Sequence, residues 1–246
     1  MNSYQAFAYV YDQLMSDVDY ERWVHYIEEI FKYYGKEPKY ITELACGTGN
    51  ITNRLAQKGY HIIGVDKSED MLAVAQDKAS DLGVEVIYIN HEMEGLTLPT
   101  ELDAILCICD GFNYITEEKT LIDIFKMVNE HLSQDGIFIF DISSYHKLSQ
   151  VLGNNTFAEN QKGISFIWEN YFDAKRHLSE MDLTLFIQEG QYYRKSEERH
   201  VQRAYHEDEI IEYIKKAKFN FIDVFNGFTF LPSEETSERI CFVCRK

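Results

Sequence analysis

The 246-residue chain is poor in proline and has no long uninterrupted apolar run. Its three prolines form no linker-like tract with glycine or serine, so one α/β domain with an insertion fits better than two equal domains. No segment approaches the roughly 20 apolar residues of a membrane-spanning helix, and the first residues do not open a secretory signal. The sequence therefore predicts a cytoplasmic protein that does not enter a membrane.

Positive charge is also scarce. The chain has 24 lysines and arginines against 41 aspartates and glutamates, a net charge of −17. A phosphate backbone would be repelled at long range, and the usual basic footprint of a nucleic-acid-binding protein is absent. The composition argues against a nucleic-acid partner. It leaves the oligomeric state open.

The five cysteines are an odd number, which argues against a disulfide framework. Cys107 and Cys109 share one apolar run, and Cys241 and Cys244 flank another apolar pair. Both pairs lie in strand-like sequence, where cysteine serves as a small apolar residue. The sequence therefore predicts no metal site.

Residues 40–50, YITELACGTGN, contain the strongest local signal. An apolar, β-branched run ends abruptly in Gly47 and Gly49, which indicates a strand entering a tight turn. Ile51 and Leu55 follow at helical spacing. Glycines allow positive φ and carry no Cβ, so a ligand could lie against bare backbone beside the start of the helix.

A nicotinamide-dinucleotide loop would have a third glycine at the position of Thr52, and this glycine is missing. Glu43 lies four residues before Gly47. A negative charge there would not help to bind a pyrophosphate, whereas it would suit a cationic ligand.

The run ELACGTG resembles motif I of the class I S-adenosylmethionine-dependent methyltransferases, and further similarity extends along most of the chain. In that family the acid-x-x-x-G-x-G loop wraps the methionine part of the sulfonium cofactor. The resemblance implies that S-adenosyl-L-methionine is the cofactor. The loop residues that it implies as ligands are Glu43, Ala45, Gly47, Thr48 and Gly49.

Residues 61–66 read as a second strand that ends in Asp66, seventeen residues after Gly49. An acid about this far along, at the tip of the next strand, can accept hydrogen bonds from both ribose hydroxyls. The run DKSEDML resembles the second motif of the family. It implies that Lys67 adjoins the cofactor and that Met71 packs on the adenine; ordinary core packing is the alternative for Met71.

A third strand, residues 84–89, leads to Glu92 and Met93. The family usually has an aspartate here that accepts the adenine amino group. Glu92 is a departure from that pattern, although a longer carboxylate can still accept this hydrogen bond. We expect both residues to line the adenine pocket.

The apolar run of residues 104–109 predicts a central fourth strand that is covered on both faces. Ligands in open α/β sheets bind at the carboxyl ends of the strands. We therefore expect Asp110 to face the reacting methyl group, with Asn113 and Tyr114 as acceptor contacts.

Between residues 147 and 205 the period changes from helical to alternating, which predicts an antiparallel β insertion after a fifth strand at residues 137–140. In a class I methyltransferase such an insertion would cover the pocket. Its aromatic and cationic residues are candidate acceptor contacts, with a salt-bridged surface as the alternative. The candidates are Trp168, Tyr193, His200 and Arg203.

The sequence thus predicts a doubly wound, seven-stranded, mostly parallel sheet of the Rossmann-like type. Residues 37–146 and 206–246 would form the cofactor-binding unit and residues 147–205 the cap. Residues 1–36, with Tyr4, Tyr9 and Tyr11, would form a helical lid, or else plain core. With the resemblance, we expect methyl transfer to a small-molecule acceptor that the sequence does not identify; an NAD(P)-dependent oxidoreductase and a non-catalytic cofactor-binding protein are the alternatives. No residue is identified as a general base.

Overall fold

The computed structural model describes residues 3–99 and 101–246, with the backbone alone for residues 3–7, 9 and 221. The helices are α1 (Ser3–Leu14), α2 (Tyr20–Tyr33), α3 (Asn50–Gln57), α4 (Glu69–Leu82), α5 (Glu118–His131) and α6 (Glu207–Lys216). The strands are β1 (Tyr40–Leu44), β2 (His61–Asp66), β3 (Ile87–Asn90), β4 (Leu102–Cys107), β5 (Leu132–Ser143), β6 (Thr156–Gln161), β7 (Ile164–Asp173), β8 (Leu178–Glu189), β9 (Tyr192–Arg203), β10 (Phe221–Asn226) and β11 (Arg239–Arg245).

Seven strands form the main sheet in the order β10-β11-β5-β4-β1-β2-β3. All pairs are parallel except those of β11, which is antiparallel to both β10 and β5. Apolar clusters cover both faces: α2 and α3 pack on one, and α5 and α6 on the other. Alternate residues of β4 enter opposite clusters, which explains its uninterrupted apolar run. The predicted fold is confirmed.

Strands β6 to β9 form a separate antiparallel sheet between β5 and α6, where the sequence predicts an insertion. The sequence did not predict β6, because Thr156–Gln161 is polar and nearly all of it is exposed. Its pairing with β7 supplies the order that its composition does not indicate.

Strand β5 is longer than predicted. Asp and Gly are typical turn residues, yet Asp135 and Gly136 both lie inside β5, where the pairing with β4 shifts register between Leu102 and Ala104. A Cβ on Gly136 would lie 3.0 Å from the carbonyl oxygen of Leu102. This glycine therefore allows two backbones to approach closely at an irregular register rather than ending the strand.

The N-terminal segment that the sequence predicts to be helical, residues 1–36, contains α1 and α2. Asp19 caps α2 by accepting a hydrogen bond of 2.9 Å from the backbone N–H of Arg22. The side chains of Tyr4 and Tyr9, placed in a lid by the sequence, lie outside the described residues, as do Met1 and Asn2. No helix in the described part of the chain is long and apolar enough to cross a membrane.

Candidate active site

The order of the strands creates a cleft where β1 and β4 lie side by side. The chain leaves β1 for α3 on one face of the sheet and leaves β4 for α5 on the other, which is the arrangement of a topological switch point. The loops after the two strands nearly touch, since a Cβ on Gly111 would lie 2.9 Å from the Cβ of Ala45. Ala45 itself has a left-handed φ of 52°.

The two glycines of the loop after β1 have different roles. Both have positive φ, 53° at Gly47 and 71° at Gly49. A Cβ on Gly47 would meet no atom within 4 Å, so the space before the backbone is open to a ligand. A Cβ on Gly49 would collide with the Tyr88 hydroxyl and lie 2.9 Å from the Cβ of Ala75. Gly49 therefore allows α3 to pack closely on Tyr88 and Ala75, and its expected contact with the cofactor stays a prediction.

Glu43 lies at the base of the cleft with 2% of its surface exposed. The hydroxyl of Thr52 donates a short hydrogen bond to its Oε2 atom. Burial raises the pKa of Glu43 to about 8; the bonds from Thr52 oppose this shift, and the nearby Asp66 adds to it. Thr52, which occupies the position of the missing third glycine, thus holds the Glu43 carboxyl group in place. A cationic ligand beside this group would favour its ionised form.

Asp66 joins the tip of β2 to the glycine loop. Its Oδ2 atom accepts a hydrogen bond of 2.8 Å from the N–H of Gly47, and its Oδ1 atom accepts one of 2.9 Å from the N–H of Ser68. Burial raises the pKa of Asp66 despite these bonds. A carboxylate has about four lone-pair positions. Asp66 therefore keeps the capacity to accept hydrogen bonds from a diol.

The residues expected around adenine follow the carboxyl ends of β2 and β3, the two strands next to β1 at this edge of the sheet. Lys67 is exposed beside Asp66, and Met71 is half-buried in the first turn of α4. The chain after β3 is tied to β2 because the N–H of residue 91 donates to the carbonyl of Asp66 at 3.1 Å. That bond places exposed Glu92 and half-buried Met93 at this edge as well.

The tip of β4 has a strained backbone that a buried acid holds in place. Cys109 and Asp110 have left-handed φ angles of 66° and 56°. Asp141, at the tip of β5 and fully buried, accepts from the N–H of Cys109 at 2.7 Å and from that of Asp110 at 3.2 Å. Such strain persists only where surrounding bonds determine the geometry, and it often marks functional sites.

Arg239, at the start of β11, pairs with both acids of this tip. Its Nη1 atom lies 3.0 Å from Asp110 Oδ1 and closer still to Asp141 Oδ2. Burial opposes the ionisation of Asp110, but Arg239 and Lys147 outweigh burial and lower its pKa. For Asp141 burial prevails and raises the pKa. Asp110 therefore presents a negative charge to the cleft.

Strand β9 of the second sheet reaches the same tip. Gln202 donates a hydrogen bond of 3.1 Å to Asp110 Oδ2. The ring of His200 meets that of Tyr114 edge-to-face at 5.9 Å between centroids. Tyr114 keeps 42% of its surface exposed while burial and Asp110 raise the pKa of its hydroxyl, which indicates a ring that faces a cleft.

Helix α1 closes over the glycine loop through Asp12. This carboxylate accepts hydrogen bonds from Thr48 Oγ1 at 2.7 Å, Asn50 Nδ2 at 2.8 Å and Lys78 Nζ at 2.7 Å. Burial opposes ionisation of Asp12, but these bonds prevail and lower its pKa. Tyr11 lies close enough to Asp110 and Tyr114 for their charges, together with burial, to raise its pKa. Sequence reasoning identified Tyr11 but gave no signal for Asp12.

Comparison with known proteins identifies the family to which the chain belongs. Residues 41–136 match a family model described as a methyltransferase domain. A relative from Geobacillus sp. (strain WCH70), which carries the name of a methyltransferase, is 35% identical to this chain over 247 residues. The match covers 99% of this chain and 100% of the relative. A crystal structure of an S-adenosylmethionine-dependent methyltransferase from Clostridium acetobutylicum ATCC 824 has a TM-score of 0.90 at 36% identity and covers 99% of each chain.

The chain belongs to the class I S-adenosylmethionine-dependent methyltransferases. S-adenosyl-L-methionine is the cofactor of this methyltransferase. The open space before Gly47 and the acids Glu43, Asp66 and Asp110 fit a ligand with two positive charges and a ribose. A more distant structure, the sugar N-methyltransferase KedS8 from Streptoalloteichus sp., shares the fold with a TM-score of 0.79 at 14% identity over 97% of this chain and 92% of its own.

Two residues expected to contact the acceptor of the methyltransferase are bonded elsewhere. Asn113 is fully buried; its side chain donates to the carbonyls of Ser143 and Arg203 and accepts from the N–H of Ser143. It fastens the turn after β4 to β5 and β9. Arg203 points to the other side of β9, where it pairs with Glu209 at 3.0 Å and donates to the carbonyl of Thr116.

The other two cap candidates differ in position. Tyr193 is 56% exposed beside the β8–β9 turn, at the opposite end of β9 from Gln202. Trp168 is half-buried, packs 5.5 Å from Phe157 between ring centroids, and lies on the same face of the second sheet as His200 and Gln202. Of the four cap candidates, His200 is the one that meets the tip of β4.

Proposed function

We propose that this methyltransferase transfers a methyl group to a small molecule bound between the tip of β4 and the face of the second sheet that carries His200 and Gln202. The observation that supports this most is the hydrogen bond from Gln202 to Asp110, which joins that face to the acid nearest the reacting position. In this proposal residues 1–36 act as a lid, residues 147–205 as a cap, and residues 37–146 and 206–246 bind the cofactor.

We assign the cofactor's parts to the residues of the cleft. Its methionine part lies along the backbone from Ala45 to Gly49, with Glu43 and Thr48 beside it. Its ribose hydroxyls donate to Asp66, and its adenine lies among Lys67, Met71, Glu92 and Met93. The tip of β4, at Asp110, then adjoins the sulfonium. The open space at Gly47 and the spare lone pairs of Asp66 support this arrangement.

S-adenosylmethionine supplies an electrophilic methyl group, so the protein needs mainly to hold the nucleophile in line and to exclude water. Asp110, kept ionised by Arg239, favours positive charge at the reacting position. Burial and the nearby Lys67 lower the pKa of His200, which favours the neutral form of the ring that packs on Tyr114. Helix α1 covers the site, because it contacts the glycine loop through Asp12 and packs against β9.

The class of acceptor is tested with S-adenosylmethionine carrying a labelled methyl group. The protein is incubated with a cell extract, which is then separated into protein, nucleic-acid and low-molecular-weight fractions. We expect label in the low-molecular-weight fraction, and much less of it with an Asp66→Ala variant at the same cofactor concentration. Label confined to protein or nucleic acid would contradict the proposal. KedS8 is named a sugar N-methyltransferase, and its shared fold makes small amines the first pure compounds to test.

A further inference from the structure

One face of the second sheet contains buried polar atoms that lack hydrogen-bond partners. We call the side of β9 that carries Ser196, Glu198, His200 and Gln202 the inner face. Antiparallel register places Ser179 directly opposite Gln202, and Asn170 in the same row as His200. Within the described residues, Asn170 Oδ1, Ser179 Oγ, Ser196 Oγ and Glu198 Oε1 are buried without a partner. Each of these residues has 8% or less of its surface exposed.

These atoms form a track that leads away from the reacting position. Ser179 is level with Gln202, which bonds Asp110, while Glu198 is two rows further along β9. Four residues of extended strand span about 13 Å. Helix α1 packs against β9, and its Gln13 side chain donates at 2.8 Å to the carbonyl of Lys162 in the β6–β7 turn. The track is thus enclosed between the cap and the lid.

The chemistry of the unpartnered atoms selects the ligand. An ionised carboxylate and an amide oxygen only accept hydrogen bonds, and the two serine hydroxyls can also accept. Leaving such groups buried and unpaired costs free energy, so native proteins retain them where something else supplies the missing bond. The groups missing opposite Asn170 Oδ1 and an ionised Glu198 Oε1 must therefore be donors. Between a neutral donor and a cation, a buried carboxylate gains most from the cation, because charge-assisted bonds are the stronger.

We propose that the methyl acceptor is an elongated amine whose second, protonated nitrogen binds Glu198, a residue whose Cα lies about 13 Å along β9 from that of Gln202. This inference rests on the proposed function and adds a distal anchor to it. Burial raises the pKa of Glu198, and a bound ammonium would favour its ionised form. The excess of acid in the chain, −17 overall, favours the approach of a cation from a distance.

The test compares four amines on protein saturated with S-adenosylhomocysteine, by calorimetric titration. Octamethylenediamine carries an ammonium at each end, amino-octanol replaces one with a hydroxyl, octylamine lacks the second group, and putrescine is a diamine too short to reach. We expect octamethylenediamine to bind about tenfold more tightly than octylamine, the equivalent of one charge-assisted hydrogen bond. Amino-octanol and putrescine should lack this advantage.

The matched variants are Glu198→Gln and Glu197→Gln. Glu197 is the neighbouring residue on the outer, exposed side of β9, where it pairs with Lys195 at 2.5 Å. Glu198→Gln should remove the preference for octamethylenediamine, whereas Glu197→Gln should keep it, with S-adenosylhomocysteine affinity unchanged in both. Equal binding of all four amines, no binding at all, or a preference that survives Glu198→Gln would overturn the anchor. If the protein without any substitution does not bind S-adenosylhomocysteine, the proposed function is refuted instead.

A second measurement needs no ligand. If Glu198 is retained for binding rather than for folding, replacing it with an apolar residue removes an unpaired buried group. Glu198→Leu should therefore keep or raise the Tm of the free protein. A lowered Tm would show that Glu198 has a structural partner and would overturn the inference.

Discussion

Gln202 donates a hydrogen bond to the carboxylate of Asp110 across 92 positions of sequence. This bond connects the antiparallel sheet to the tip of the central strand of the parallel sheet. On the same strand, the neighbouring Arg203 turns away and pairs with Glu209. Of these two adjacent residues of β9, Gln202 contacts the residue expected to face the reacting methyl group, whereas Arg203 contacts a helix of the main fold.

The first prediction compares these neighbours. Gln202→Met should lower kcat/KM for the acceptor by roughly tenfold, the value of one hydrogen bond to a charged group, because Asp110 loses a positioning partner. Arg203→Met should leave kcat/KM unchanged and lower Tm, because it breaks the pair with Glu209. Both should keep their affinity for S-adenosylhomocysteine. Normal turnover in Gln202→Met together with impaired turnover in Arg203→Met would reverse our assignment of the two sides of β9.

The second prediction concerns the glycine loop. Gly47→Val should abolish measurable S-adenosylhomocysteine binding in a folded protein, because its side chain would fill the open space before the backbone. Gly35→Val is the control: Gly35 has a φ of 64°, a Cβ there would also meet no atom, and it lies after α2. Both variants carry a left-handed strain of roughly 1–2 kcal/mol. Gly49→Val should instead unfold the protein more easily, since its Cβ collides with Tyr88. Retained affinity in Gly47→Val would contradict the assignment.

The third prediction concerns Asp66. Asp66→Ala should weaken cofactor binding by about 1.5–3 kcal/mol, the range for hydrogen bonds to a charged group, and Asp66→Asn should have a milder effect. Asp103→Ala is the matched control. Asp103 accepts two backbone hydrogen bonds, from Lys39 at 2.7 Å and Tyr40 at 2.9 Å, at the amino end of β1. It should lower stability without changing cofactor affinity in a calorimetric titration. Similar affinity losses in the two alanine variants would remove Asp66 from the ribose.

The fourth prediction follows from the pKa of Glu43, about 8 in the folded protein against a usual value of 4.5. A raised carboxyl pKa means that the folded state retains the proton longer. The contribution of Glu43 to stability is therefore complete below pH 4.5 and is lost as the pH rises through about 8. A cationic cofactor should ionise this group, so binding near neutral pH should release a proton, which titrations in buffers of different ionisation enthalpy measure. Glu43→Gln should abolish that release; an unchanged proton count would exclude Glu43 as its source.

The sequence predicted the main sheet because hydrophobic periodicity reports burial directly. The apolar run around Ile105 has no polar break, since both of its faces are covered, and Gly47 and Asp66 lie at strand tips where ligands bind in such sheets. These signals are local, because each can be recognised from a few neighbouring residues of the sequence.

The polar part of the site is not local. Arg239 meets Asp110 across 129 positions, and Asp12 meets Lys78 across 66. No spacing rule connects such pairs. On β9 the periodicity misleads, because the inner face carries polar residues such as Glu198 and His200 where a buried face is expected to be apolar. Buried polar residues on one face of a strand remove the alternation of apolar and polar residues by which the buried face is recognised in a sequence.

The placement of the cofactor is the central claim, and a crystal structure with S-adenosylhomocysteine tests it most directly. We expect the amino-acid part of the ligand against Gly47, both ribose hydroxyls within hydrogen-bond distance of Asp66, and the sulfur directed towards Asp110 and the inner face of β9. A ligand whose ribose does not contact Asp66, or whose sulfur points away from Asp110, would contradict the account.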